Sequence, residues 1–147
     1  MIPDKLRKKL NQSKNQTQKQ NLRKPDQNQQ KKKLGRLGEQ KVKKLLLSNG
    51  WIFICQNFHT RFGEIDLVFL DSDKILSFIE VKTRSSEKFG FPEEAVSKNK
   101  LRHLQKAAEI FLTKNPQYQN CQLRIDVAAI ELCKDREMMR YYKNVTA

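Results

Sequence analysis

Acidic residues are scarce in this chain: 16 Asp and Glu stand against 30 Lys and Arg over 147 residues, a formal net charge of +14. That imbalance disfavours cationic partners and favours polyanions, nucleic acid before an anionic membrane surface. Cysteine is sparse as well. Cys55, Cys121 and Cys133 are odd in number and form no C-x-x-C pair, which argues against a disulfide framework and against zinc, and fits a reduced protein of the cytoplasm. The two histidines, His59 and His103, have no companion at metal-ligand spacing. No apolar run approaches the ~18 residues of a membrane span, and the N-terminus carries no apolar leader segment; no membrane partner is expected.

The charge is uneven. Residues 1–33 hold eleven Lys and Arg against Asp4 and Asp26, nine of the fourteen net positive charges. This stretch is rich in Gln, Asn and Lys, and Ile2, Leu6, Leu10 and Leu22 bury too little to offset the entropy of ordering it. It is read as a disordered extension, either attracting phosphates without specificity or inert. An ordered domain is expected over 34–133, with 134–147 a short helix or a frayed tail.

Within the domain, Leu34, Leu37, Val42, Leu45 and Leu46 approximate a helical stripe that Asn49-Gly50 stops. Three strands follow: Trp51–Phe58 with Trp51, Phe53 and Cys55 on one face, Phe62–Leu70, and Lys74–Thr83 beyond an Asp71-Ser72-Asp73 turn. A long helix is predicted to start at Pro92, with Glu93 and Glu94 at its positive end and Val96, Leu101, Leu104, Ala107, Ala108 and Phe111 as its buried stripe. Leu123–Leu132 reads as a last strand. The order αβββαβ implies an α/β fold, a mixed sheet flanked by helices.

Two carboxylates interrupt strands that are otherwise apolar: Asp66 in Gly63-Glu64-Ile65-Asp66, and Glu80 in Glu80-Val81-Lys82. Charges are rarely placed in such runs unless paired or bound to a metal. Strand alternation puts Glu80 and Lys82 on one face. A turn that sets residue 71 opposite 75 brings Asp66 opposite Glu80. A two-residue turn closing 71 on 74 would set Asp66 against Ile79 instead. Burying one carboxylate among aliphatics is costly, so the longer turn is expected.

Two carboxylates this close repel, and a divalent cation resolves the repulsion. Oxygen-only ligands suit Mg2+, with Mn2+ as a substitute, and the backbone carbonyl of Val81 is a further candidate ligand. Such a site cleaves phosphodiesters, with Lys82 orienting the attacking water or neutralising charge on phosphorus. Glu39 flanks the buried stripe of the first helix and is a further candidate. Lys100, Arg61 and Arg84 are candidate phosphate contacts, although Lys100 can equally carry its charge out of the core and the two arginines can be solvated loop residues. Glu64, out of phase with Asp66, is expected to face solvent. Asp126 is expected to support the site or to pair with a base, with Arg124 on its face.

These motifs, with Gly35-Arg36-Leu37-Gly38-Glu39, Phe89-Gly90-Phe91-Pro92 and Arg124-Ile125-Asp126-Val127, resemble the YraN-type family of bacterial proteins. That family belongs to the restriction-endonuclease-like superfamily, whose site pattern is Pro-Asp…Asp/Glu-x-Lys. The resemblance covers about residues 34–132 and departs from the superfamily pattern in having Ile65 before Asp66. It implies a nuclease-type αβββαβ core, metal-binding roles for Asp66 and Glu80, a catalytic role for Lys82 and a supporting one for Glu39. The expected function is a metal-dependent endonuclease acting on nucleic acid, DNA first. The alternative is a non-catalytic or partner-dependent nucleic-acid-binding module on the same fold. Cutting two strands would need a homodimer or two encounters.

Overall fold

The computed structural model describes residues 26–85, 96–134 and 136–146. The chain forms two units, Met1–Gln30 and Lys31–Ala147, and both cores belong to the second. Helix α1 spans Gln27–Ser48, followed by strands β1 (Ile52–Thr60), β2 (Gly63–Leu70) and β3 (Leu76–Arg84). Helix α2 (Lys98–Lys114) and a short 3-10 turn (Pro116–Tyr118) lead to β4 (Leu123–Leu132) and β5 (Glu137–Tyr142). The five strands form one sheet in the order β1-β2-β3-β4-β5. Only β3 and β4 run parallel; the other pairs are antiparallel. The fold is a mixed α/β sheet with a helix on each face, consistent with a restriction-endonuclease-like core.

Strand alternation divides the interior into two cores. Val68, Leu76, Phe78 and Ile125 pack with Leu104, Ala107, Ala108 and Phe111 of α2. Leu67, Phe69, Ile79 and Ala128 pack with Val42 and Leu46 of α1. Trp51 and Phe53 belong to the α1 core, whereas Ile54, Cys55 and Phe58 belong to the α2 core. Cys55 therefore does not share a face with Trp51 and Phe53 as the alternation predicts. The register of β1 on β2 shifts between Phe53 and Cys55, and that bulge exchanges the faces.

Three other expectations need correction. Helix α1 begins well before Leu34, inside the stretch read as disordered. Asp26 accepts the Asn28 N–H through Oδ1 at 3.2 Å, and Gln and Lys are good helix formers. Residues 1–25 lie outside the described residues. The buried row of α1 is Gly38, Val42 and Leu46, with Leu37 and Leu45 exposed. A Cβ on Gly38 would collide with Thr83 Oγ1 and lie 3.0 Å from Ile130 Cγ2, so the missing side chain lets the helix rest on β3 and β4. Finally, residues 137–142 of the supposed tail form β5, paired along β4 from Val127↔Tyr142 to Leu132↔Glu137.

Helix α2 begins at Lys98, where the Ser97 hydroxyl accepts the Lys100 N–H at 3.2 Å. The predicted start at Pro92, Glu93 and Glu94 lies outside the described residues, as does Phe89-Gly90-Phe91. Asp126 is fully buried in a structural network. It accepts Arg124 Nε at 2.8 and 2.9 Å, the Tyr141 hydroxyl at 2.9 Å and the Asn144 N–H at 2.8 Å. Burial alone would lower the pKa of Arg124, but Asp126 and Asp71 outweigh it and raise it. Tyr141 is pushed above its ordinary range, by burial first and Asp126 second. Among the described residues, no helix is long and apolar enough to cross a membrane.

Two glycines of one helix separate close approach from propensity. Among the described residues, a Cβ on Gly35 would meet nothing within 4 Å beyond its own helix. Gly35→Ala is expected to stabilise by ~0.5–1 kcal/mol, and Gly38→Ala to destabilise by ~1–3 kcal/mol. Urea unfolding of both variants measures the contrast.

Candidate active site

The hairpin between β2 and β3 sets the site's register. Asp71 N–H donates to the Ile75 carbonyl at 3.0 Å and Lys74 N–H to the Asp71 carbonyl at 3.1 Å, with Lys74 at φ 63°. This is the three-residue loop, a type I turn closed by a left-handed residue. Asp71 holds it internally: its Oδ1 accepts the N–H groups of Asp73 and Ile75, both at 2.9 Å, and its Oδ2 meets Arg124 Nη1 at 2.9 Å. The strands then pair as Leu70↔Leu76, Phe69↔Ser77, Val68↔Phe78 and Leu67↔Ile79. Continued by one step, that register would bring Asp66 opposite Glu80; the pairing ends at Leu67↔Ile79, with Glu80 close enough for its charge to raise the pKa of Asp66.

At that step the backbone ladder stops. Bonded pairs alternate along an antiparallel ladder, so after 71/75 and 67/79 the Val81 N–H would be due the Ile65 carbonyl. It donates instead to Asp66 Oδ2 at 2.7 Å. The Asp66 side chain thus takes the place of a ladder acceptor while β2 continues along β1 as far as Thr60↔Gly63.

Glu80 is 3% exposed. Its Oε1 lies 2.6 Å from Lys82 Nζ, its neighbour on the β3 face. Its Oε2 lies 2.9 Å from Lys100 Nζ, without hydrogen-bond alignment. The Ser97 cap fixes where α2 begins and so where Lys100 stands. One buried carboxylate therefore carries two ammonium groups whose other sides are open to solvent.

Burial first, and Glu80 second, raise the pKa of Asp66 from 3.8 to about 7; the Val81 N–H and Lys100 oppose the shift without cancelling it. Glu39 is also raised, by burial and then by Glu64, with a smaller push from Glu80 and an opposing pull from Arg36. Glu39, on α1 next to Gly38, thus feels the same acidic centre as Asp66 and Glu80.

Two members of this environment were not legible beforehand. Asn57 adopts φ 54°, a left-handed conformation that asparagine tolerates. With its amide nitrogen turned toward the acids, it donates to Glu64 Oε1 at 3.0 Å and to Glu39 Oε2 at 3.3 Å. Glu64 keeps its side chain partly in solvent, as expected, but its carboxylate is engaged, with Oε2 3.5 Å from His59 Nδ1 on the paired residue of β1. The polar Asn57 within β1 was the available signal, but a left-handed kink that reaches a helix is not visible in a strand pattern.

The structure gathers Glu39, Asp66, Glu80, Lys82 and Lys100 in one neighbourhood. Arg61 sits apart, exposed in the β1–β2 turn over the Phe62 ring. Arg84 ends β3, exposed and opposite Glu131. Among the described residues, no three His, Cys, Asp or Glu side chains form a closed metal cage. The oxygens that could take part in holding a cation are those of Asp66 and Glu80 and the Val81 backbone carbonyl, beside Lys82.

A family model described as "Uncharacterised protein family UPF0102" matches residues 38–130. The chain belongs to that family. A UPF0102 protein of Bifidobacterium longum (strain NCC 2705) is 36% identical over 120 residues, which cover 81% of this chain and 97% of the relative. One from Caldicellulosiruptor saccharolyticus is 37% identical over 109 residues, 74% of this chain and 91% of the relative. One from Natranaerobius thermophilus is 46% identical over 100 residues, 67% and 83%. UPF0102 is a restriction-endonuclease-like family, the one the motifs resemble, and the matched span of the UPF0102 model contains Glu39, Asp66, Glu80, Lys82 and Lys100.

The raised pKa of Asp66 has a signed consequence for stability. Between pH 3.8 and about 7 the folded chain keeps a proton that the unfolded chain has lost. Stability without metal therefore falls as pH rises through that window. Asp66→Asn is expected to melt with the wild type near pH 4 in EDTA and above it at pH 8, by at most about 4 kcal/mol. Parallel thermal melts across pH, with an unchanged gap as the contrary result, decide it.

Proposed function

We propose that this protein is a divalent-metal-dependent nuclease that hydrolyses phosphodiester bonds in nucleic acid, DNA first. The observation that carries the reading is Asp66 held on the Val81 N–H where the β2–β3 ladder gives way, near enough to Glu80 for that charge to raise its pKa, with Lys82 on Glu80 Oε1. A buried, repelling carboxylate pair is a poor way to hold a sheet together. It is a suitable way to hold a hard cation.

The donor chemistry fits Mg2+, with Mn2+ as a substitute: Asp66 through the oxygen not taken by Val81, Glu80, the Val81 carbonyl, and retained water. Bound there, the cation would supply Lewis acidity toward the phosphate and a lowered pKa for water. The protein's own residues do the rest. Lys82 holds or orients the attacking water and balances charge on phosphorus. Lys100 has the same ammonium chemistry on the other Glu80 oxygen. Glu39, steadied by Asn57, adds negative charge at the rim of the site.

The charge balance supports the same reading. Ionised Asp66, Glu80 and Glu39 against Lys82 and Lys100 leave one negative charge. A divalent ion turns that to one positive charge, which suits a phosphodiester. A second reading, a binding module that cleaves only with a partner, draws support from Glu80, both of whose oxygens face an ammonium group.

The test is incubation of single-stranded, duplex, flapped and four-way-junction DNAs with the purified protein in Mg2+, Mn2+ or EDTA. Cutting is expected with either metal, absent in EDTA, and reduced at least 100-fold by Asp66→Ala and by Lys82→Ala. Cutting that persists in both variants would refute the assignment. Binding without cutting in any metal would favour the second reading.

A further inference from the structure

Away from the carboxylates, the Phe62 ring holds two cations, as the Trp51 ring holds Arg124 and Lys143, but at Trp51 the arginine is already paired with Asp71 and Asp126. Arg61 and Phe62 form the turn between β1 and β2. The Arg61 guanidinium carbon lies 4.8 Å from the Phe62 ring centre, and Lys106 Nζ, reaching from α2, lies 4.9 Å from it. Both basic residues are exposed, and among the described residues neither makes an ion pair with a carboxylate. The nearby acid Glu64 is instead engaged by His59 and Asn57.

Two like charges converging on one ring repel each other. The ring's negative face offsets only part of that repulsion, and an anion between them would offset the remainder. The turn is also held in shape. The Thr60 hydroxyl accepts the Phe62 N–H at 3.1 Å and donates to the Gly63 carbonyl at 2.9 Å, so the pair is presented without further ordering of the backbone.

We infer that Arg61, Phe62 and Lys106 form a phosphate clamp that grips the nucleic-acid backbone to one side of the Asp66–Glu80 centre. The inference rests on the nucleic-acid reading above and narrows it. Phe62, in the turn just before β2, is four residues from Asp66 in the chain, at most about 13 Å. Lys106 is six residues along α2 from Lys100, about 9 Å. Lys100, His103 and Lys106 follow one another at steps of three and make one row on that helix. In a duplex these distances correspond to three or four nucleotides, at about 3.4 Å per nucleotide along one strand. The substrate class is accordingly a continuous strand with several nucleotides beyond the scissile bond, not a mononucleotide or a terminal dinucleotide.

The basic residue Lys43 provides an internal control. It also sits over a ring, 3.5 Å from the centre of Phe53, but it is hydrogen-bonded to Gln56 and belongs to α1.

The experiment is anisotropy of a labelled DNA duplex on the full chain in EDTA, across a salt series. Arg61→Gln with Lys106→Met, which keeps the packing on Phe62, is expected to flatten the slope of log K against log salt by about two, one phosphate for each cation. Lys43→Met is expected to leave the slope unchanged. The double variant should keep the wild-type melting temperature. An unaltered slope in a folded double variant would overturn the clamp, as would an equal loss with Lys43→Met. If the wild type cuts nothing in metal while the double variant still loses its slope, the nuclease reading fails and the clamp stands.

Discussion

Because the Val81 N–H turns to Asp66 Oδ2 rather than to a main-chain carbonyl, the ladder between β2 and β3 ends at Leu67 and Ile79. Nearly everything in the candidate site depends on that substitution. A buried N–H must find an acceptor, and a side-chain carboxylate satisfies it as well as a peptide oxygen does. The exchange leaves Asp66 held in place at one oxygen and lets a second acid approach from β3. Glu80 is then buried on the same face as Lys82 and beneath Lys100, and Glu39 reaches the opening from the helix on the other side of the sheet.

The supports for this arrangement lie outside the site itself. Gly38 lets α1 rest on Thr83 and Ile130 and so brings Glu39 close to the sheet. Ser97 caps α2 and fixes the turn from which Lys100 points. The Asp126–Arg124–Tyr141 network joins β4 and β5, and through Arg124 it grips Asp71 in the hairpin. Each of these supports is a backbone or buried polar requirement satisfied locally, and together they determine the separation of charges at the centre.

Much of this was legible in the sequence wherever a mistake would have been costly. The register of β2 on β3 could be read because the wrong one would strand a carboxylate against Ile79. The alternation of β3 placed Glu80 and Lys82 side by side with no further information. The face of α1 was misread because its closest contact is made by Gly38, which has no side chain to register as hydrophobic, whereas Leu37 and Leu45 advertise a face that is exposed. Strand β5 was missed because Glu137 and Arg140 interrupt its apolar pattern. Asn57 could not be read as the donor shared by Glu39 and Glu64 because that meeting depends on its own left-handed conformation and on a helix residue 18 positions earlier in the chain.

The Asp71–Ile75 loop lies about 17 Å from Asp66 by strand length, and its residues belong to no step of the proposed chemistry. Surface turns of this kind ordinarily accept an inserted or deleted residue. This one measures out the distance at which two acids meet. Adding or removing a single residue while the turn keeps its form would slide β3 by one position against β2, turning the Glu80 side chain to the α1 face and bringing Ile79 (on addition) or Val81 (on removal) up to Asp66. The length of a loop remote from the chemistry is therefore part of the active site's specification, and its freedom to vary in length is set by electrostatics at the opposite end of the hairpin.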